Sequence, residues 1–317
     1  MVGRRTGFGG RPTGYVDTVN AARTTQRLIF VNDAAGRRAD VPDSLVEFER
    51  HDIADAEEVL KPLLTDDRCS ELLLVAVWGG DGSMRSVARL LVGTRAVMLA
   101  CPGGSRNHFC RTLEIKDETS IVAALENGVV RAVDVGRAGT EVFLNNVTIG
   151  WYTDLVTRRE RYERFMPRRF AKVLSLAVQL LRTRRLRVNV DDTPERVWLV
   201  WVGNGEYSMS SATLTERASM AQSTLDVRIL RAGVRWPKLR ALTDLLRGSA
   251  ESSDHISRQL LPSTVLTTRR SMVRASLDGE LEVIPTPVEI SIDAQSLRVL
   301  VPMTTEPEEN GSTESQT

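Results

Sequence analysis

The sequence predicts an α/β domain followed by a β-rich domain, and three observations support this fold class. The first half alternates short apolar runs with segments of helical periodicity, as in parallel or mixed sheets covered by helices. Two of these apolar runs lead directly into glycines. In the second half, strand-like runs separated by turns predominate. The domain boundary is predicted near residue 135, although no proline- or serine-rich linker marks it.

The elements of the first half follow from local patterns. The apolar run 27–32 predicts a buried strand, and the segment 44–64 predicts one strand and one helix. The segments 71–83 and 96–104 each predict a strand that ends in a glycine-containing loop. The segment 119–128 predicts a helix that ends at Gly128.

Composition narrows the class of protein. The 317 residues suffice for two domains with substantial cores, and 42 basic against 41 acidic residues indicate no polyanionic partner. We therefore expect no nucleic-acid partner. Three cysteines without CxxC spacing favour a reducing, cytoplasmic location over a disulfide framework. We expect no membrane-spanning helix and no signal peptide, a flexible segment over 1–26 and a disordered tail over 303–317.

The run from Gly79 to Ser83 has the properties of a phosphate-binding loop. It follows a strand and precedes a helix, so that glycine N–H groups and the helix N-terminus can approach phosphate oxygens. Asp81 repels phosphate, and we expect it to act through Mg²⁺ or on a substrate hydroxyl. The alternative is a tight turn that happens to contain glycine.

The segments VWGGDGSMRSV (77–87) and CPGGSRNHFCRTL (101–113) resemble the GGDGT and P-x-GT-x-N-[DH]-FAR signatures of the diacylglycerol kinase catalytic-domain family. That superfamily also contains sphingosine and ceramide kinases and, more distantly, NAD kinases. Further matches to the lipid branch follow in order at 133–136, 142–150, 202–207, 225–227, 277–280 and 296–302. The ordered set, which spans residues 27–302, makes the resemblance specific.

The resemblance implies a fold and a chemistry. It implies a nucleotide-binding α/β domain over 27–135, a larger β-rich, sandwich-like lipid-substrate domain over 136–285, and a final strand within 286–302 that returns to the first domain. The active site is expected in the cleft between the domains. ATP and Mg²⁺ are the implied cofactors, a lipid hydroxyl is the implied acceptor, and family members often form homodimers.

The same resemblance assigns roles to residues. It places Asp278 as the general base, Glu280 beside the metal and water network, and Asp81 as a further catalytic residue. For Asp278 the alternative is a simple hairpin turn. The residues implied in nucleotide binding are Asn32, Gly79, Gly80, Asp81, Gly82, Ser83, Gly104, Ser105 and Asn107. His108 is expected to be a hydrogen-bonding spectator, Asp134 a cleft or turn residue, and Asn145 and Asn146 structural.

Three departures from the family pattern bear on activity. Asp33 stands where the family has the proline of an NPxxG loop, which adds negative charge near the phosphates. Ala221, Gln222 and Ser223 replace an acidic turn that holds a structural Mg²⁺, so we predict that this metal site is absent. The segment 37–70 diverges, and adenine contacts cannot be assigned there.

The arginine-rich segment 158–187 surrounds an apolar stretch at 173–181. It predicts a basic amphipathic helix that could bind an anionic membrane surface, with a solvated helix packed on the domain as the equal alternative.

The sequence and its resemblance to the family leave two functions open. The first is an ATP- and Mg²⁺-dependent lipid kinase, for example of diacylglycerol, at the inner face of the membrane. The second is a catalytically degenerate relative that binds lipid or nucleotide as a regulator. An NAD kinase is the less favoured third alternative.

Overall fold

A computed structural model describes residues 26–32, 41–65, 73–150, 185–208, 217, 222–232 and 256–303. The predictions for the segment before residue 26, for Asp33, for Ala221 and for the tail after residue 303 lie outside the described residues. Most of the predicted basic helix, residues 158–184, lies outside them as well.

A parallel sheet forms the centre of the first domain. Its strands are β1 (Gln26–Val31), β2 (Glu49–Asp52), β3 (Leu73–Gly79) and β4 (Val97–Pro102), in the order β2-β1-β3-β4. Adjacent strands of this group all pair in parallel. β1, β3 and β4 are nearly continuous buried apolar runs, as expected for strands whose two faces are both covered. The strand predictions for the first half are confirmed.

The described part of this domain contains four α-helices: α1 (Ala56–Thr65), α2 (Asp81–Leu91), α3 (His108–Thr112) and α4 (Glu118–Asn127). α2 begins immediately after β3, and Met84, Val87 and Leu91 on one face of α2 are fully buried. α4 starts with a capping box between Asp117 and Ser120 and ends at Gly128, as the sequence predicts. The alternation of strands and helices therefore places two loops at the carboxyl edge of the sheet.

The remaining strands pair mainly in antiparallel fashion. They are β5 (Val129–Ala138), β6 (Glu141–Phe143), β7 (Asn146–Gly150), β8 (Leu186–Val190), β9 (Thr193–Asn204), β10 (Leu225–Arg231), β11 (Ile256–Leu261), β12 (Ser263–Thr268), β13 (Met272–Leu277), β14 (Glu280–Pro285) and β15 (Val288–Val301). The main path runs β14-β13-β7-β9-β8-β12-β15. A branch of β10 and β11 extends from β9, and a second branch of β5 and β6 extends from β15. The β-rich second domain is confirmed.

One long strand joins the two halves. The first part of β15 pairs with β12, and its last part pairs in parallel with β4 of the first domain. β5 runs antiparallel to β15 along most of its length, with a register shift between Asp293 and Leu297. Residue 135 lies inside β5. Because β5 and β15 contribute to the cores of both halves, they hold the halves together.

The predicted basic helix is wrong at its C-terminal end. Leu186 and Arg187 belong to β8, in which Val188 and Val190 are buried between exposed residues. This alternation has a period of two residues, which fits a half-buried strand and not a helix. Among the described residues, no helix is long and apolar enough to cross a membrane.

Candidate functional site

Two glycine loops meet at the carboxyl edge of the parallel sheet. Gly79 and Gly80 join β3 to α2, and Gly103 and Gly104 follow β4. The Gly103 N–H donates to the Gly79 carbonyl oxygen at 3.0 Å. A Cβ on Gly104 would lie 2.5 Å from the Gly80 Cα, so residue 104 must be glycine for the loops to touch. The structure thus brings together the two loops predicted to bind the nucleotide.

The first loop leads into the N-terminus of α2. Backbone N–H groups of a first helical turn have no partner within the helix, and the dipole adds partial positive charge there. The Ser83 hydroxyl in this turn is buried and accepts a hydrogen bond from Asn32 Nδ2 at 2.9 Å. The Asn32 N–H donates to the Trp78 carbonyl oxygen at 3.1 Å. Asn32 and Ser83 therefore tie the exit of β1 to the loop after β3.

Asp81 connects the two glycine loops. Its carboxylate accepts hydrogen bonds from the backbone N–H groups of His108 at 3.2 Å and Phe109 at 3.0 Å, at the start of α3. Asn145 Nδ2 donates to the same carboxylate at 3.4 Å. The carboxylate of Asp81 thus anchors the second loop, and its action through Mg²⁺ or on a hydroxyl stays a prediction.

Asn107 shapes the second loop. Its backbone is left-handed, with φ 50° and ψ 46°, a conformation that asparagine tolerates better than most residues. Its side chain closes the loop on itself, because Oδ1 accepts from the Gly104 N–H at 2.9 Å and Nδ2 donates to the Gly104 carbonyl at 2.8 Å. Ser105 lies between them and is exposed. Of the predicted residues in this loop, Ser105 is therefore the one whose side chain is open to a ligand.

Asp278 and Gly279 form the turn between β13 and β14. Their φ angles are 52° and 95°, as in a two-residue turn of type I′, so the hairpin prediction is confirmed. The Asp278 carboxylate accepts three backbone hydrogen bonds, from Leu144 at 2.7 Å, Asn145 at 2.7 Å and Asn146 at 3.0 Å. The turn is therefore fastened to the segment 144–146, which joins β6 to β7.

The environment of Asp278 opposes its ionisation. Removal from water raises its pKa to about 6, and the negative charge of Asp81 acts in the same direction. The three backbone N–H groups act in the opposite direction but do not cancel the effect of burial. A carboxyl group with a pKa close to neutrality and a fixed orientation has the properties of a general base.

Glu280 lies against the start of α2. A Cβ on Gly82 would overlap the Glu280 carboxylate, so the absence of a side chain at position 82 makes room for it. Arg85, one turn along α2, has an almost buried side chain and lies 3.6 Å from Glu280. Its guanidinium also donates to Glu141 at 3.1 Å, to Glu282 at 3.1 Å and to the Val142 carbonyl at 2.8 Å. Arg85 thereby joins α2 to two hairpins of the second domain.

Two basic groups lie at the mouth of this arrangement. Arg106 is exposed, and its Nη1 is 3.8 Å from the position of a Cβ on Gly279. Within the part of the chain that the structure describes, Arg106 has neither a hydrogen bond nor an ion pair. The pKa of His108 is lowered, first by burial and then by Arg106 and Arg111, against the opposing effect of Asp81. The spectator role of His108 stays a prediction.

Two family profiles match the chain in sequence order. Residues 27–138 match the diacylglycerol kinase catalytic domain, and residues 151–301 match the YegS C-terminal NAD kinase beta sandwich-like domain. Residues 27–138 therefore belong to the diacylglycerol kinase catalytic-domain family. The first profile contains both glycine loops, and the second contains the turn at Asp278. The resemblance and the fold class inferred from the sequence are both confirmed.

Relatives of this kinase family agree with the assignment. The chain is 30% identical over 187 residues to a Pseudomonas putida protein named "Probable lipid kinase YegS-like", covering 55% of this chain and 60% of that protein. It is 26% identical over 227 residues to the "Diacylglycerol kinase" of Bacillus subtilis, covering 66% of this chain and 72% of that protein. The chain thus matches less than two thirds of the length of the Pseudomonas putida relative.

A solved structure shows the same fold. The crystal structure of a diacylglycerol kinase from Bacillus anthracis superposes with a TM-score of 0.57 at 19% identity, and the match covers 87% of this chain and 96% of that one. At this identity the similarity shows the fold alone.

The structural Mg²⁺ that the family resemblance implies does not suit the residues present. Ser223 donates its backbone N–H to Asp134 Oδ2 at 2.7 Å, and Gln222 Oε1 accepts from the Glu206 N–H at 3.2 Å. Neither side chain carries the negative charge that Mg²⁺ requires. Among the described residues, no group of three or more His, Cys, Asp or Glu side chains is arranged to hold a metal ion. The absence of this metal site stays a prediction.

Sequence reasoning missed several residues that assemble the site. Arg85 carries no recognisable signal, because two of its carboxylate partners lie 56 and 197 residues away. Asn204 and Tyr207 lie in the segment 202–207, which resembles a motif of the family. That resemblance was the signal that could have marked them as site residues. Asn204 Nδ2 donates to the Asp134 carbonyl at 2.8 Å, and Tyr207 donates its hydroxyl to the Asn145 carbonyl at 2.9 Å. Both residues support the segment that holds Asp278.

Proposed function

We propose that this family member is a lipid kinase, which transfers the γ-phosphoryl group of ATP to a lipid hydroxyl such as that of diacylglycerol. One observation carries the proposal: the Asp278 carboxylate is held by three backbone N–H groups of the segment 144–146, and Asn145 also bonds Asp81 in the first glycine loop. A prospective base on the second domain is thereby coupled to a prospective phosphate-binding loop on the first.

Asp278 is suited to remove the proton of an acceptor hydroxyl. An ionised carboxylate offers roughly four acceptor positions, and the three backbone N–H groups leave one for a substrate hydroxyl. Asp278 as a whole residue is intermediate in exposure, so the turn that carries it lies near the surface, where an alcohol can approach. As the hydroxyl oxygen bonds to the γ-phosphorus, the bond from that phosphorus to the β,γ-bridging oxygen breaks and ADP leaves. The hydroxyl proton passes to the free position on the carboxylate.

The glycine loops and nearby charges are suited to the nucleotide. The N–H groups at the start of α2 can donate to phosphate oxygens, and the exposed Arg106 guanidinium can offset negative charge near the turn. Mg²⁺ bound together with the nucleotide phosphates would supply further charge neutralisation. Glu280, whose side chain is 53% exposed and only loosely paired with Arg85, suits the role of its carboxylate ligand.

We infer that the chain acts at the inner face of the membrane, because its acceptor is a lipid. The arginine-rich segment 158–187 supports this inference through its attraction to anionic lipid. A homodimer stays a prediction from the resemblance.

A phosphorylation assay tests the function directly. Radiolabelled ATP, Mg²⁺ and mixed micelles containing diacylglycerol, ceramide or a sphingoid base are incubated with the wild type and with Asp278→Asn. We expect label in at least one lipid and its loss in the variant. Asp117→Asn is the matched control, because Asp117 caps α4 away from the site and asparagine caps a helix equally well. Absence of transfer from folded wild-type protein to every lipid would refute the proposal.

The second candidate is a non-catalytic binder of nucleotide or lipid. The carboxylate of Asp81 favours it, since both oxygens already accept backbone hydrogen bonds. Calorimetry with ATP separates the two functions: binding without transfer supports the regulator, whereas transfer supports the kinase.

A further inference from the structure

Two guanidinium nitrogens of Arg217 are inaccessible to solvent and have no acceptor among the residues that the structure describes. Its Nη1 donates to the Leu144 carbonyl at 3.2 Å, and its guanidinium carbon lies 6.0 Å from the centre of the Tyr207 ring. Its Nε and Nη2 are inaccessible to solvent and have no partner among the residues that the structure describes. Unsatisfied donors on a buried charge are costly, so the surroundings must compensate for this guanidinium.

Two carboxylates provide the compensation. Asp134 and Asp278 both attract the Arg217 guanidinium, while burial lowers the pKa of Arg217. Asp134 is only 1% exposed, and its oxygens accept the backbone N–H groups of Ser223 at 2.7 Å and Gln295 at 2.9 Å. Neither carboxylate forms a direct ion pair with Arg217. The guanidinium therefore stabilises the two carboxylates by electrostatic attraction, without a hydrogen bond to either of them.

The Leu144 peptide group connects this cation to Asp278. Its carbonyl oxygen accepts from Arg217 Nη1 and from Asn204 Nδ2 at 3.0 Å, and the Leu144 N–H donates to Asp278 Oδ2. Asn204 Nδ2 also donates to the Asp134 carbonyl. A continuous network thus runs from Asp134 to the turn at Asp278, with Arg217 as a positive group beside it.

We propose that the Arg217 guanidinium is a fixed internal cation that replaces a structural Mg²⁺ at the junction of the two domains. The turn that would bind the metal is neutral at Ser223, whose N–H donates to the Asp134 carboxylate. The Asn204 amide joins the Asp134 carbonyl to the Leu144 carbonyl, which accepts from Arg217. A metal ion beside this guanidinium would be repelled by it. The inference does not depend on the proposed kinase activity, because it concerns metal content and stability.

The test uses the full chain without nucleotide. The protein is treated with EDTA, desalted and supplied with Mg²⁺, after which bound metal is measured by mass spectrometry and thermal unfolding by circular dichroism. A specific site occupied at about 100 times its Kd would raise Tm by roughly 5 °C or more. We expect far less than one equivalent of bound Mg²⁺ and no such rise. One equivalent of Mg²⁺ with an increased Tm would overturn the proposal.

Two substitutions separate the charge of Arg217 from its packing. Arg217→Met keeps apolar bulk and should lower Tm by about 5 °C or more, without recovery in Mg²⁺. Arg217→Lys keeps the charge and should be the more stable of the two. If the methionine variant is at least as stable as the lysine variant, the residue acts by packing and the proposal fails. Arg228→Met, which removes a buried ion pair with Asp226, is the control for loss of an arginine elsewhere in the domain.

Discussion

The Glu280 carboxylate occupies the space that a side chain on Gly82 would need. Gly82 belongs to the first glycine loop and Glu280 to the β14 end of the turn at Asp278, so this contact brings the two motifs to one place. The absence of a side chain at position 82 therefore leaves the space in which the Glu280 carboxylate lies across the domain junction.

Substitution of Gly82 should displace the Glu280 carboxylate from the first glycine loop. In Gly82→Ala, the methyl group displaces the Glu280 carboxylate from its place beside the first glycine loop. We expect lipid phosphorylation to fall by at least about tenfold, the cost of roughly 1.4 kcal/mol in the barrier. Ser86→Ala, an exposed position on the same helix, is the control and should keep wild-type activity. Equal rates for Gly82→Ala and wild type would show that the contact is unimportant.

The titration of Asp278 should appear in the pH dependence of the reaction. Its pKa is raised to about 6 by burial, so the carboxyl is protonated and inactive as a base below that pH. The rate should rise between pH 5 and 7 with an apparent pKa of about 6, measured as kcat/KM with a lipid acceptor. Because the folded state raises this pKa, the same group favours folding at low pH and loses that contribution as pH rises through about 6. A rate that is flat across this range would argue against Asp278 as the base.

The ion pairs of Arg85 should contribute more to the free energy of unfolding than the single ion pair of Arg89 with Glu57. Arg85→Met leaves Glu141, Glu280 and Glu282 without their shared cation, and we expect a loss of about 2–3 kcal/mol in unfolding free energy. The loss is moderated because the glutamates are partly exposed to solvent.

The control for Arg85 lies one turn further along α2. Arg89→Met removes an exposed pair with Glu57 and should cost less than about 1 kcal/mol. Urea unfolding followed by circular dichroism measures both variants. Similar losses of unfolding free energy for the two variants would contradict the inferred importance of the ion pairs of Arg85.

Arg106 should affect transfer and leave the fold unchanged. Its guanidinium is exposed near Gly279, so Arg106→Ala removes positive charge from the mouth of the site without creating a cavity. We expect kcat to fall by about 10²-fold or more, with Tm unchanged. Arg131→Ala, an exposed arginine on β5, should change neither quantity. Retention of full activity by Arg106→Ala would exclude the residue from the reaction.

Much of the fold could be predicted because the signals are local. The apolar runs at 27–32 and 96–101 are too hydrophobic for the surface, and β1 and β4 are buried as expected. The turn at Asp278 and Gly279 follows from the preference of this residue pair for positive φ. The predicted basic helix extends two residues into β8, because the alternation at 186–190 is short and is followed directly by a second strand.

The assembly of the site could not be predicted in the same way. Nothing near Asp81 in the sequence indicates that its carboxylate binds the N–H groups of His108 and Phe109, which are 27 and 28 residues away. The same holds for Arg217, whose Nη1 donates to the Leu144 carbonyl across 73 residues. The sequence by itself determined the elements, the two glycine loops and the family. Only the tertiary structure decided which charges and donors meet, because β5, β15 and the turn at Asp278 bring distant segments within hydrogen-bond distance.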